Sequence, residues 1–182
     1  KTDGLLIDSR VKMELQPGSA VIYDNPRSKK RGDLYFAGGE IGDEFNLDAR
    51  LRVINQVQFE YFAALNTFES TQKGIFRIYA NNGRSLGDEG PNEPRDILFE
   101  IDPFSLLAGY NMVSVSDLNI RERKEIPSIT WTIEFFGLSG ICKTGLLLHD
   151  NPVTGLSASS FWINHGSKEN PDWQLQTSKN GT

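Results

Sequence analysis

The sequence predicts an all-β protein: an antiparallel β-sandwich, jelly-roll-like, with residues 1–182 in one domain. Three observations predict it. Two long segments place apolar residues at every second position, the period of a pleated strand. Gly, Pro, Asn, Asp and Ser recur between about ten or more short segments of similar character, the spacing expected of a sandwich. No apolar series at i, i+3, i+4, i+7 is sustained over three helical turns. The chain carries 38% hydrophobic and 24% charged residues and is long enough for a sizeable core.

Leu5-Leu6-Ile7-Asp8 is the first apolar segment. It makes residues 1–15 either an edge strand of this domain or an assembly strand, with Leu5, Leu6 and Ile7 pairing to a neighbouring subunit. Pro17-Gly18 marks a turn, Ser19 to Tyr23 reads as a strand, and Asn25-Pro26 breaks it. Leu34-Tyr35-Phe36-Ala37 and Ile41 to Leu47 are further strand candidates. In Arg50 to Ala64, Leu51, Val53, Val57, Phe59 and Tyr61 share one parity, while Arg50, Arg52, Gln56, Gln58 and Glu60 share the other. That pattern predicts one long strand with a buried face and a wet face.

Gly74 to Ala80 repeats the pattern, with Phe76, Ile78 and Ala80 opposed to Arg77 and Tyr79. A turn-rich loop runs from Asn81 to Arg95, and Ile97, Phe99 and Ile101 then alternate with Leu98 and Glu100. Pro103 predicts a turn, with one helical turn through Ser105-Leu106-Leu107 and a stop at Gly109. Tyr110 to Ser116 and Leu118 to Ile120 are strand-like. The second clean amphipathic strand sets Ile129, Trp131, Ile133 and Phe135 against Thr130, Thr132, Glu134 and Phe136, with Trp131 in the core. Gly145 to His149, Phe161 to Asn164 and Trp173 to Gln176 complete the set.

A net charge of −5 argues against a polyanion, so no nucleic-acid partner is expected. The basic cluster Arg27-Ser28-Lys29-Lys30-Arg31 reads as a solvated turn. The single cysteine, Cys142, excludes an intrachain disulfide and reads as a buried thiol. No apolar run reaches membrane-spanning length, so no membrane insertion is expected. The chain opens on Lys1 rather than Met, as a processed or trimmed product does, and this is compatible with a removed secretion signal. Asn180-Gly181-Thr182 fits a glycosylation sequon.

Chemistry is thinly represented. His149 and His165 are the only histidines, and no Ser stands in a nucleophile-elbow setting, so no catalytic residues are assigned and no enzyme is expected. Glu60, Glu100 and Glu134 lie on the polar sides of strands. They read as carboxylates paired across strands with arginine, or as a glycosidase pair if two face one cleft. Asp43, Glu44 and Asp88 read as residues of solvated turns, or as the oxygen ligands of a structural Ca²⁺, the one cofactor considered. Most of the aromatic residues read as core filling, Phe161-Trp162-Ile163 with at least one ring inside. Where exposed, Trp162 and Trp173, with Tyr79 and Arg77, are the candidate ligand-binding residues for a polysaccharide, because sugar rings stack on exposed aromatic faces.

Several phrases occur together in order: Gly42-Asp43-Glu44-Phe45-Asn46-Leu47, Val57 to Phe62, Arg77 to Gly83, Ile129 to Phe135, and Ser159 to Asn164 followed by Trp173. Across residues 35–176 the chain resembles secreted bacterial β-sandwich proteins of the type associated with PEP-CTERM sorting anchors, common in Verrucomicrobia and related bacteria. The resemblance implies an exported protein at the cell surface or in an extracellular matrix, and it carries no catalytic residues with it. No sorting anchor follows Thr182, so an anchored form would have had its anchor cleaved. The expected function is a non-enzymatic, self-associating building block of a surface, matrix or filament. A carbohydrate-binding module is the alternative, and a glycoside hydrolase the third choice.

Overall fold

A computed structural model describes residues 5–8, 33–36, 39–46, 53–64, 72–87, 90–121, 126, 128–137, 143–148 and 157–177. The described residues form strands and connections, with no helix among them. In chain order the strands are β1 (Leu5–Asp8), β2 (Asp33–Phe36), β3 (Glu40–Asn46), β4 (Val53–Ile54), β5 (Val57–Ala63), β6 (Lys73–Ala80) and β7 (Asp96–Glu100). They continue with β8 (Phe104–Ser105), β9 (Gly109–Val115), β10 (Ile120–Arg121), β11 (Ser128–Phe136), β12 (Thr144–Leu148), β13 (Ser157–Asn164) and β14 (Trp173–Thr177).

Every pairing is antiparallel. The first sheet runs β1-β9-β5-β12-β2 and the second β14-β13-β3-β11-β6-β7, with β8 also paired to β6. The chain changes sheet at most of its connections, as jelly-roll-like sandwiches do. One apolar cluster fills the space between the sheets. Phe59, Tyr61, Val113, Val115 and Leu146 enter it from the first sheet, and Ile41, Phe45, Phe76, Ile78, Ile129, Trp131 and Ile133 from the second. Phe59 stacks on Phe76 at 5.4 Å and on Trp131 at 5.3 Å, so aromatic rings join the two layers. The antiparallel β-sandwich and the core position of Trp131 are therefore as the sequence predicts.

Three local expectations change, and of the two alternatives for residues 5–8 the edge strand is the one seen. The long strand through Arg50 to Ala64 breaks at Asn55 and Gln56. β4 pairs with β10 in a small sheet of its own, Ile54 turns inward, and Val53 is 45% exposed, so the parity reverses across the break. The Asn55 carbonyl accepts the Leu118 N–H at 3.1 Å. Leu118 reaches the core between Asp117 and Asn119, both at positive φ, a conformation that Asp and Asn tolerate better than most residues. The helical turn expected at Ser105 is replaced by β8, whose Phe104 packs into the core against Gly74 of β6. β1 pairs with β9 and forms an edge of its own sheet, so Leu5, Leu6 and Ile7 sit in register with Val115, Ser114 and Val113 of the same chain.

The third change matters most. β11 is buried on both faces: Thr130 and Thr132 are as inaccessible as Ile129 and Ile133. The alternation of β11 therefore separates an apolar face from a dry polar one. Gly42 of β3 stands opposite Thr132, and a methyl group there would run into the Trp131 carbonyl and the Thr132 backbone. Backbone cannot move aside as a flexible side chain does, so Gly42→Ala should destabilise by about 1–3 kcal/mol. Urea denaturation of the variant measures this, and an unchanged midpoint would contradict the close approach.

Candidate functional site

The outer face of the second sheet collects the polar residues that this region buries. Cross-strand register builds it. Glu134 of β11 lies opposite Glu40 of β3, Thr132 opposite Arg77 of β6, and Arg77 in turn opposite Glu100 of β7. Asn164 of β13 stands beside Glu40 on the other side, with Trp173 of β14 next to it. Residues far apart in the chain thus meet because each occupies the outward parity of its strand.

Arg77 is the centre. Its guanidinium, only 4% exposed, donates through Nε to Glu100 at 2.5 Å and through Nη1 to Glu134 at 2.7 Å, with Glu40 3.2 Å from the same nitrogen. Glu40 also accepts the Tyr79 hydroxyl at 3.0 Å, the Thr132 hydroxyl at 2.5 Å and the Asn164 side-chain amide at 3.3 Å. A buried carboxylate is tolerable only when its lone pairs are occupied in this way. Burial pulls the Arg77 pKa down, but the three carboxylates outweigh it and hold the guanidinium charged beyond its ordinary range. Burial and the neighbouring Glu40 charge push the Tyr79 phenol well up, so it serves as a hydrogen-bond donor.

A second chain of bonds runs beside the first. Thr130 donates to Asn81 at 2.8 Å, Asn81 to Ser128 at 2.9 Å, and Ser128 to Glu44 at 2.6 Å. The Trp162 indole N–H donates to the other Glu44 oxygen at 2.9 Å. Trp162 is fully buried, with Trp173 edge-on at 6.4 Å and Tyr79 edge-on to Trp173 at 5.3 Å. Three strands separate β6 from β14. On a flat sheet their backbones would lie about 19 Å apart, too far for two rings to touch. The sheet therefore curls around this face, and the concavity is filled by its own side chains.

The loop between β13 and β14 closes one side. Asn164 Oδ1 accepts the Gly166 and Asp172 N–H groups at 2.9 and 2.8 Å, and the His165 N–H reaches the Asp172 carbonyl at 3.0 Å. Lys168 in this loop extends to Glu100 of β7 at 2.8 Å, although three strands lie between β13 and β7. Partial burial raises the Glu100 pKa, but the Lys168 and Arg77 hydrogen bonds more than offset it and leave the carboxyl below its ordinary value.

The expected site residues fall as follows. Trp162, Trp173, Tyr79 and Arg77 do come together, which the sequence reading grouped only as ligand contacts. They are buried, which agrees with the core-filling reading of the aromatics, and Tyr79, Trp162 and Trp173 form an internal cluster rather than an exposed platform. Asp43 and Glu44 are neighbours in one strand and point to opposite faces, Glu44 into the polar layer and Asp43 to the side of Trp131 and Phe161. They therefore do not converge on one cation, and among the described residues no group of three His, Cys, Asp or Glu does. Asp88, Cys142, His149 and the basic cluster at residues 27–31 lie outside the described residues. Glu60 belongs to β5 in the first sheet, so it shares no face with Glu134. Glu100 and Glu134 do pair with an arginine across strands, but around a buried cation.

A glycosidase keeps one carboxyl protonated by a raised pKa. Glu100 shifts the other way, and Glu134 shares its guanidinium. The arrangement pairs charge with charge within the protein, around a buried Glu40. The residues missed by the sequence reading are Glu40, Asn81, Ser128 and Asn164. The signal for them was the series Ser128, Thr130, Thr132, a polar face made of small hydroxyls rather than of lysines.

Scans of protein-family models, of curated proteins and of solved structures each return no match to this chain.

Two outcomes are expected. Arg77→Leu leaves Glu40 buried without its cation and should cost about 3–5 kcal/mol by urea denaturation; a cost below that of an ordinary surface substitution would refute the central role. Glu100 has a depressed folded-state pKa, so its ion pairs stabilise fully above its ordinary value of 4.5 and the benefit disappears as pH falls through the lower folded value. The Tm gap between wild type and Glu100→Gln should accordingly be open at pH 7 and close in acid, and a gap independent of pH would contradict the assignment.

Proposed function

We propose that this domain is a non-enzymatic structural module, exported to the cell surface or extracellular matrix, that works by associating with further copies of itself. One observation carries the reading. The only dense array of ionisable groups on the described sheet faces is consumed internally, with Arg77 holding three carboxylates. A catalytic or sugar-binding face needs groups left available to a ligand. Here Glu40, Glu44, Tyr79 and Trp162 are all engaged with other side chains. What the domain offers outward is strand edge, the surface through which β-domains add to one another.

The carbohydrate-binding alternative loses its main support with the burial of Trp162 and Trp173. The test pairs negative-stain electron microscopy and analytical ultracentrifugation with a polysaccharide binding and hydrolysis panel. Concentration-dependent assemblies without hydrolysis or glycan binding are the expected result. A strict monomer that binds or cleaves a polysaccharide would overturn the proposal.

A further inference from the structure

Among the described strands, the two large sheets end in β1 and β2 and in β14 and β7. Three carry an acidic residue, Asp8 in β1, Asp33 in β2, and both Asp96 and Glu100 in β7. β7 is further disrupted by a register shift opposite Ile78 and Tyr79. Charges and bulges are the devices that prevent edge-to-edge pairing. β14 has none of them. Its sequence is Trp173-Gln174-Leu175-Gln176-Thr177, regular along its whole length, with no charge, proline or glycine. Gln174, Gln176 and Thr177 are exposed, and among the described residues no strand pairs with its outer side.

The pairing pattern identifies which backbone groups are available. The His165 N–H bonds to the Asp172 carbonyl, and hydrogen-bonded pairs alternate along an antiparallel ladder. The next such pairs are Ile163 with Gln174 and Phe161 with Gln176. The N–H and C=O groups of Trp173, Leu175 and Thr177 therefore point away from β13, along the open edge.

We propose that β14 is a homotypic docking edge, pairing antiparallel with β14 of a second copy about a two-fold axis at Leu175. The proposal rests on the self-association reading above and names its surface. In this register Leu175 faces its own symmetry mate, Trp173 faces Thr177, and Gln174 faces Gln176. About six main-chain hydrogen bonds form, and no like charges meet. The interface is isologous, so it closes as a dimer and joins the two second sheets into one continuous sheet. A second copy is favoured over a foreign strand because the edge is complementary to itself in both side-chain chemistry and hydrogen-bond phase. A single edge strand is a small interface, so the dimer is weak and concentration-dependent.

Sedimentation velocity over a concentration series tests it, comparing wild type with the double variant Gln174→Lys, Gln176→Lys. These side chains are exposed, so circular dichroism and Tm should stay unchanged while the dimer is lost. A second measurement does not depend on weakening: Gln174→Cys with Gln176→Cys, in a Cys142→Ser background, places thiols in facing non-hydrogen-bonded positions. Mild oxidation should trap a covalent dimer. Dimerisation of the lysine variant equal to wild type, with no trapping of the cysteine variant, would overturn the β14 edge while leaving self-association in place. A wild type that stays monomeric at every concentration would overturn both.

Discussion

A guanidinium that cannot reach water sets the terms for half of this molecule. Arg77 is buried in the outer face of a sheet, and a buried cation needs anionic partners at hydrogen-bond distance. Glu40, Glu134 and Glu100 provide them from β3, β11 and β7. Each carboxylate then makes its own demand. Glu40 is itself buried and requires Tyr79, Thr132 and Asn164 as donors. Asn164 spends its remaining oxygen on the loop that follows it, and that loop brings Lys168 back to Glu100. The layer closes on itself, which is why it presents so little to a ligand.

The space for this layer comes from small residues. Gly42, Thr130 and Thr132 occupy the middle of the sheet, and the large rings of Tyr79, Trp162 and Trp173 enter from the strands around them. The two faces of the sheet are thus built by different rules. The inner face is held by area, through Phe76, Ile78, Trp131 and their neighbours. The outer face is held by matched donors and acceptors, where a missing partner costs more than a missing methyl group.

Strand positions were legible in the sequence because parity is a local property. Ile129, Trp131, Ile133 and Phe135 announce β11 without reference to anything outside it. The fate of the opposite parity was not legible, because it depends on what lies across from it. Thr130 and Thr132 read as wet until pairing brings Asn81 to Thr130 across 49 positions of sequence and Glu40 to Thr132 across 92. The same reason explains Trp162 and Trp173: their burial was legible from apolar neighbours such as Phe161 and Ile163, but their packing on Tyr79, brought from β6 by pairing, was not. β4 fails for a third reason: Ile54 and Val53 follow the two-stranded pairing with β10, and a local alternation carries no information about where a ladder ends.

The polar layer also resolves an ambiguity that the apolar core leaves open. Sliding β6 by two residues against β11 would keep every side chain on its own face. On the inner face Phe76, Ile78 and Ala80 would exchange one apolar neighbour for another. On the outer face a slide that carries Arg77 from Thr132 to Thr130 would carry Tyr79 on to Ser128, and both would move away from Glu40, which stands opposite Glu134. A buried carboxylate would then stand without its cation, a penalty of several kcal/mol that no gain in apolar contact offsets. Slippage of β6 in that direction is therefore opposed by Arg77 and Glu40, where the apolar face alone would tolerate it.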